Sequence, residues 1–356
     1  MSSLFDSVTF GKIQLANRLV MAPMTRDRAT PGGEATELMA EYYAQRASAG
    51  LIITEGTQPS AVGQGFLNTP GLYTPEHARA WSTVTDAVHA RGGRIVVQLM
   101  HAGRIGHPSL YADAHRSVAP SAVTAAGQCF TPGGPTDYEE PHELTLAEIA
   151  ATVEDFAHSA RYAIEAGFDG VEIHAGNGFL LHQFLAENTN RRTDAYGGTI
   201  AGRIRFAVEV VEAVAGTIGN ERTALRISPA NQFNDIAEGE TEELYTALVP
   251  ALPNLAFLEM CEIVARPVTT LVRRLWNGNL IVNPHAAPDS FPSSAATAQE
   301  VLDAGLADAV SLGALFLANP DLPARIQAGG PYTAADEDTF YGGDHRGYTD
   351  YPHLTN

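Results

Sequence analysis

The residues whose types could do chemistry each follow a short apolar run. One run ends in Pro23, Met24 and Thr25, the next in Glu55 and Gly56, a third in Gln98, Met100 and His101. Later runs deliver His174 with Asn177 just beyond it, then Arg226, Asn283 and Gly313. Brought together, these would form a pocket of mixed hydrogen-bond donors with one fixed positive charge. The set contains no Ser-His-Asp order, no pair of carboxylates and no Cys nucleophile, so hydrolysis by the familiar routes finds little support. Among 12 His, His174 and His182 come nearest to a metal-type cluster. Their spacing matches no standard ligand pattern, and no metal site is expected. Taken singly, each residue has an ordinary structural reading. Thr25 would be a strand-end hydroxyl bonding locally, Arg226 a buried ion pair, His174 a core histidine and Gln98 a structural amide.

The elements that must position these residues are legible as alternating periods. Short β-branched runs lie at 18–23, 51–56, 94–99, 169–174, 223–228, 255–260, 279–283 and 307–313, each bounded by Gly, Pro or Asp. Helical periods lie between them, for example at 36–49, 75–91, 145–166, 200–216 and 295–304. Thr145 stands three residues before Glu148, a capping-box spacing, and Gly167 follows as a C-cap. Eight strands alternating with helices predict an α/β chain with a parallel sheet, and eight is the number that closes a (β/α)8 TIM barrel. In such a barrel the strand C-termini carry the chemistry. A doubly wound open sheet is the alternative, but no G-x-G-x-x-G follows any strand. A long loop excursion after the third strand, residues 103–143, and a C-terminal tail, residues 329–356, are expected to cover the active-site mouth. With no linker or repeat, residues 1–356 read as one barrel domain.

Composition narrows the class. The chain has 356 residues, 45% of them hydrophobic, enough for a large core. Its net charge of -19 repels a nucleic-acid backbone. Two cysteines allow no disulfide framework, no apolar run approaches a membrane span, and the first residues do not resemble a secretory signal. A cytoplasmic enzyme is expected, without nucleic-acid or membrane partners, as a monomer or homodimer.

Over nearly its whole length the chain resembles the old yellow enzyme family of FMN-dependent ene-reductases. The resemblance runs through NRLVMAPMTRDRA (17–29), YYAQRASAGLIITEGT (42–57), QLMHAGR (98–104), AGFDGVEIHAGNGFLLHQFL (166–185), NRRTDAYGG (190–198), RISP (226–229), LANPDLPAR (317–325) and GYTDYP (347–352). It implies reduction of an electron-poor alkene by hydride from NAD(P)H, passed through bound FMN. By resemblance, Pro23, Met24, Thr25, Gly56, Gln98, Arg226, Asn283, Gly313 and Ala314 would hold the cofactor. Thr25 would bond the flavin ring near its C4 carbonyl, Gln98 its pyrimidine edge, and Arg226 would stabilise charge gained on reduction. Gly56 would let backbone approach the ring. His174 and Asn177 would bind the substrate oxygen, Tyr348 would line the substrate side, and Met100 and Phe179 would shape the pocket.

Departures from the family pattern raise other readings. Many members carry a proton-donating Tyr where this chain has Phe179, which leaves water or Tyr348 as donor. The Gly-rich phosphate segment after the seventh strand here reads NLIVNPHAAPDSF, and Pro284 has no amide hydrogen. A basic residue usual after Gly313 is Ala314, with His285 and Arg325 as substitutes. A deazaflavin cofactor, a double-bond isomerase and a flavin-free binding protein are the alternatives to the ene-reductase.

Overall fold

Every run expected to form a strand does so. The strands are β1 (Leu19–Met21), β2 (Leu51–Thr57), β3 (Ile95–Leu99), β4 (Gly170–Ala175), β5 (Thr223–Ile227), β6 (Phe257–Cys261), β7 (Leu280–Asn283) and β8 (Ala309–Leu312). The computed structural model describes residues 3–263, 266–285 and 293–354. All eight strands are parallel and lie around a closed barrel in chain order, with β8 pairing back to β1. Burial on both faces explains why they read as continuous apolar runs rather than alternating ones. Between them run the helices α1 (Glu37–Gln45), α2 (Pro75–His89), α3 (Leu146–Glu165), α4 (Leu180–Leu185), α5 (Ile200–Ile218), α6 (Thr241–Ala251), α7 (Arg266–Leu275) and α8 (Ala295–Asp303). Local chemistry starts them: Thr36, Thr74 and Thr199 each accept an amide of the first turn, and Thr145 with Glu148 closes the expected capping box.

The barrel interior is divided along its axis. Its N-terminal half is apolar and is closed by a hairpin that sequence reasoning did not find, Val8–Phe10 paired with Ile13–Leu15. Phe10, Ile13 and Leu15 pack onto Val20, Leu51, Ile53, Val96, Phe257 and Ile281. Its C-terminal half carries the polar residues.

Both long excursions are tied down by buried arginines. From the loop after β3, Arg104 donates to the carbonyls of Val123, Asn234 and Asp235 at 3.2, 3.2 and 2.7 Å. That loop forms its own hairpin, Gln128–Thr131 with Gly134–Asp137. The tail is clamped by Arg26, which donates to the carbonyls of Phe340 and Gly347 at 2.9 and 2.8 Å, and by Arg28, which donates to that of Asp344 at 3.0 Å.

The hairpin plug has a direct test. Phe10 is fully buried with its ring 5.9 Å from that of Phe257. Phe10→Ala should cost about 3–5 kcal/mol of unfolding free energy, read as a lower urea midpoint at unchanged slope. A midpoint equal to that of the parent would mean the hairpin merely lies on the barrel.

Candidate active site

The mouth is built from what each strand presents beyond its last paired residue. After β1, Pro23, Met24 and Thr25 are half-buried, and the Thr25 hydroxyl makes no bond to another residue among those described. The segment behind them is fixed by Glu55 of β2, whose carboxylate accepts from the amides of Arg26 and Asp27 at 3.1 and 3.3 Å. Burial raises the Glu55 pKa against these bonds. At Gly56 an added Cβ would meet the Met100 side chain, so the glycine makes room for Met100 as well as for any ligand. Met100 and Phe179 belong to an apolar patch with Ala102, Ile105 and Ala125, faced by Phe66 and Tyr138.

His174, next to last in β4, lies at this mouth. It is buried, its Nδ1 is enclosed without a partner, and its ring lies 5.4 Å from that of Phe179. Burial, with Arg226 and then His182 adding repulsion, holds its pKa well below the ordinary histidine value. It is therefore a neutral imidazole. Asn177 adopts φ 54, a left-handed conformation that Asn tolerates better than most residues. Three bonds pin it there. Its amide donates to Ser228 Oγ at 2.7 Å, its carbonyl accepts from Asn234 Nδ2 at 2.8 Å, and its Oδ1 accepts from Asn231 Nδ2 at 2.8 Å. His182 locks the same turn, accepting from the Gly178 amide at 3.0 Å while its Nε2 meets Glu238 at 2.7 Å. His182 is thus a support of the loop, and among the described residues no group of three His, Cys, Asp or Glu could hold a metal ion.

Below the mouth lies a layer of buried polar groups. Arg226 sits opposite Glu259 of the neighbouring strand, 3.6 Å from its carboxylate. Its Nη2 donates to Asn283 Oδ1 at 3.4 Å, and its Nε is enclosed without a partner. Burial works against the charge, yet Glu259, with Cys261 and Glu172 behind it, raises the Arg226 pKa above the ordinary value. Asn283 is oriented by its own bond to the Ser311 carbonyl at 2.7 Å, so it serves first as a brace for Arg226. Gln98 donates to Glu172 at 2.8 Å. Two further carboxyls, Glu172 and Glu259, lie buried in this layer outside the strand-end set read from the sequence, and burial and then Glu259 raise the Glu172 pKa. Both occur inside apolar strand runs, and an acidic residue at such a position was the signal that went unread.

Comparisons with known proteins cover nearly the whole chain. The sequence model of the NADH:flavin oxidoreductase / NADH oxidase family matches residues 3–332. A Leishmania infantum protein named "Probable flavin mononucleotide-dependent alkene reductase" is 43% identical, covering 96% of this chain and 94% of its own. Morphinone reductase, solved in complex with tetrahydroNAD, superposes with a TM-score of 0.95 at 42% identity, covering 100% of this chain and 99% of that one. The old yellow enzyme homologue of Zymomonas mobilis gives a TM-score of 0.94 at 41% identity, covering 99% of this chain and 100% of that one.

The chain belongs to the old yellow enzyme family.

The flavin of this family fits the ring side of the mouth. The enclosed Arg226 Nε, the His174 nitrogens and the free Thr25 hydroxyl are polar groups that a ring with carbonyl and amide edges could satisfy. The phosphate side is less provided for. Gly313 and Ala314 are half-buried at the start of a five-residue helix, and part of the expected segment, residues 286–292, lies outside the described residues. Arg325 is no substitute, because its guanidinium is committed to Asp321 at 2.6 Å and to the Pro331 carbonyl at 2.8 Å. His285 stays close behind Asn283, and burial lowers its pKa.

Tyr348 does not line the substrate side. It is fully buried, stacked on Tyr42 at 4.0 Å with the Arg28 guanidinium 4.3 Å from its ring centre. The tyrosine that is exposed near the mouth is Tyr341, whose neighbour Gly342 bonds the Arg26 carbonyl at 2.9 Å. Seven residues of spacing in a loop carry no periodicity from which to choose between the two.

His101 gives a pH signature. It is fully buried, accepts the Gly103 amide at 3.1 Å, and burial lowers its pKa from 6.5 to about 3. Below pH 6.5 the unfolded chain takes up a proton that the folded chain refuses, so stability falls as pH drops from 6.5 towards 3. His101→Asn should flatten that slope in urea midpoints measured across the window. An unchanged slope would show that His101 is protonated in the fold.

Proposed function

We propose that this protein is an FMN-dependent ene-reductase that takes hydride from NAD(P)H and delivers it to electron-poor alkenes, namely enals, enones, maleimides or nitroalkenes. The carrying observation is the pair of oxygen-binding donors at the mouth, a neutral His174 beside an Asn177 held rigid by three bonds. The names of the relatives support it, one an alkene reductase using flavin mononucleotide and one a reductase bound to a nicotinamide analogue. Bound FMN would supply the hydride exchange between the nicotinamide and the alkene.

The residues would do the rest. His174 and Asn177 donate to the substrate's carbonyl or nitro oxygen, which draws electron density off the double bond and opens its β-carbon to hydride. Asn177 has its Oδ1 occupied by Asn231, so its amide nitrogen is the end turned to substrate. Thr25 and Gln98 would hold the ring, and Arg226 would supply positive charge beside it. Met100, Phe179 and Phe66 form an apolar wall that excludes water from the reacting carbons. Phe179 has no proton to give, so the α-carbon is protonated by water or by the Tyr341 hydroxyl. Both cysteines are unpaired and buried, and no described helix is long and apolar enough to cross a membrane, which suits the cytoplasmic reading.

Phe179 also favours a second reading, isomerisation of the double bond by return of the hydride, and product analysis separates the two. With NADPH deuterated at its transferable position and a cyclic enone, the expected product is saturated and carries deuterium at the β-carbon. His174→Ala should lower kcat/KM about 10²–10³-fold. An isomerised, unsaturated product would support the second reading. No nicotinamide oxidation with any of the four alkene classes, or an unaffected His174→Ala, would overturn the proposal.

A further inference from the structure

Arg226 is answered from the neighbouring strand. Glu259 on β6 faces it at 3.6 Å and is fully buried. Glu172 on β4 is also fully buried, so the two carboxyls come from the strands on either side of β5, which carries Arg226. Ser311 of β8 donates to Glu259 Oε1 at 2.6 Å, and Gln98 of β3 donates to Glu172 Oε1 at 2.8 Å. The remaining oxygens, Glu172 Oε2 and Glu259 Oε2, are enclosed and receive no donor from any other described residue. An enclosed carboxyl oxygen with no donor is less costly on a protonated acid than on a carboxylate. Burial, and then the neighbouring Glu259, push the Glu172 pKa well up, so Glu172 is the partner that carries the proton. The other groups near Arg226 are neutral: Asn283, the Cys261 thiol, whose pKa burial raises, and the His174 and His285 imidazoles, whose pKa values burial and then Arg226 help to lower. Arg226 contributes one positive charge and the carboxyl pair one negative charge. The cluster is therefore neutral.

This matters for a redox group at the mouth. A buried cation favours any neighbour that gains negative charge on reduction, and it acts strongly where water is excluded. A carboxylate directly behind it cancels most of that field.

We propose that Glu259, with the buried Glu172 on the other side of β5, is a positioning residue that lowers the reduction potential of bound FMN by neutralising Arg226. The proposal rests on the flavin reading above. A lower potential makes the flavin harder to reduce by nicotinamide and a stronger hydride donor to the alkene, so Glu259 sets the balance between the two half-reactions.

The test is the midpoint potential of bound FMN in the holoenzyme, measured by dye-equilibrated reduction. In Glu259→Gln alone, Glu172 could ionise and restore the charge, so the decisive variant is Glu172→Gln with Glu259→Gln. This double variant should raise the midpoint by at least the equivalent of a tenfold change in the oxidised-to-reduced ratio, about 30 mV for a two-electron couple. Glu172→Gln alone removes only the proton-bearing partner and should leave the midpoint where it is. Glu259→Asp, which withdraws the carboxylate from Arg226, should give a smaller upward shift and carries the test if the double variant does not fold. A double variant with the parental midpoint, a Glu172→Gln shift as large as that of the double variant, or no shift in Glu259→Asp would overturn the proposal. A parent protein that binds no FMN would instead defeat the flavin reading, before any variant is compared.

Discussion

A guanidinium enclosed in a closed barrel must find its counter-charges inside that barrel. Arg226 does so through Glu259, and the rest of the polar layer follows from the pairing. Glu259 is held by Ser311, Gln98 is turned to Glu172, and Asn283 is turned to Arg226. Removing one partner of a buried pair leaves an uncompensated charge, which costs about 3–5 kcal/mol. The layer is therefore cooperative. It also fixes the charge state of its neighbour, because Arg226 adds to the burial that keeps His174 neutral.

The barrel separates the work of folding from the work of binding. Its N-terminal half is filled by apolar side chains and the hairpin around Phe10, where burial supplies the stability. Its C-terminal half is where polar groups are left with unused valences. The loops over that half are held by guanidinium groups donating to backbone carbonyls, Arg104 for the excursion after β3 and Arg26 and Arg28 for the tail. Such bonds read the backbone path and are indifferent to the side chains along it. The mouth can thus vary in lining, as at Met100 and Phe179, while its frame stays rigid.

Much of this was legible because it is periodic. Eight buried runs and their helices, the Thr145–Glu148 cap and the polar strand ends could all be read from spacing, and the family resemblance placed Thr25, Gln98, His174, Asn177 and Arg226 in one frame. What was not legible depends on contacts between segments distant in sequence. Strands of three residues, as in the Val8–Leu15 hairpin, are too short to show a period. Tyr348 and Tyr341 differ only in which one Arg28 and Tyr42 enclose. Arg325 looked available as a phosphate ligand until its bonds to the tail carbonyls were seen. The Glu172–Glu259 pair is split by 87 positions (259 − 172), and only barrel closure brings it together.

The proposed function requires that the residues facing the ring hold FMN although Ala314 stands where a basic residue is usual. The visible absorption spectrum of the protein purified without added cofactor, followed by denaturation and mass analysis of what is released, tests it most directly. A flavin band and stoichiometric release of FMN are expected. No band, with none appearing after FMN is added, or a blue-shifted band that releases a deazaflavin, would contradict it.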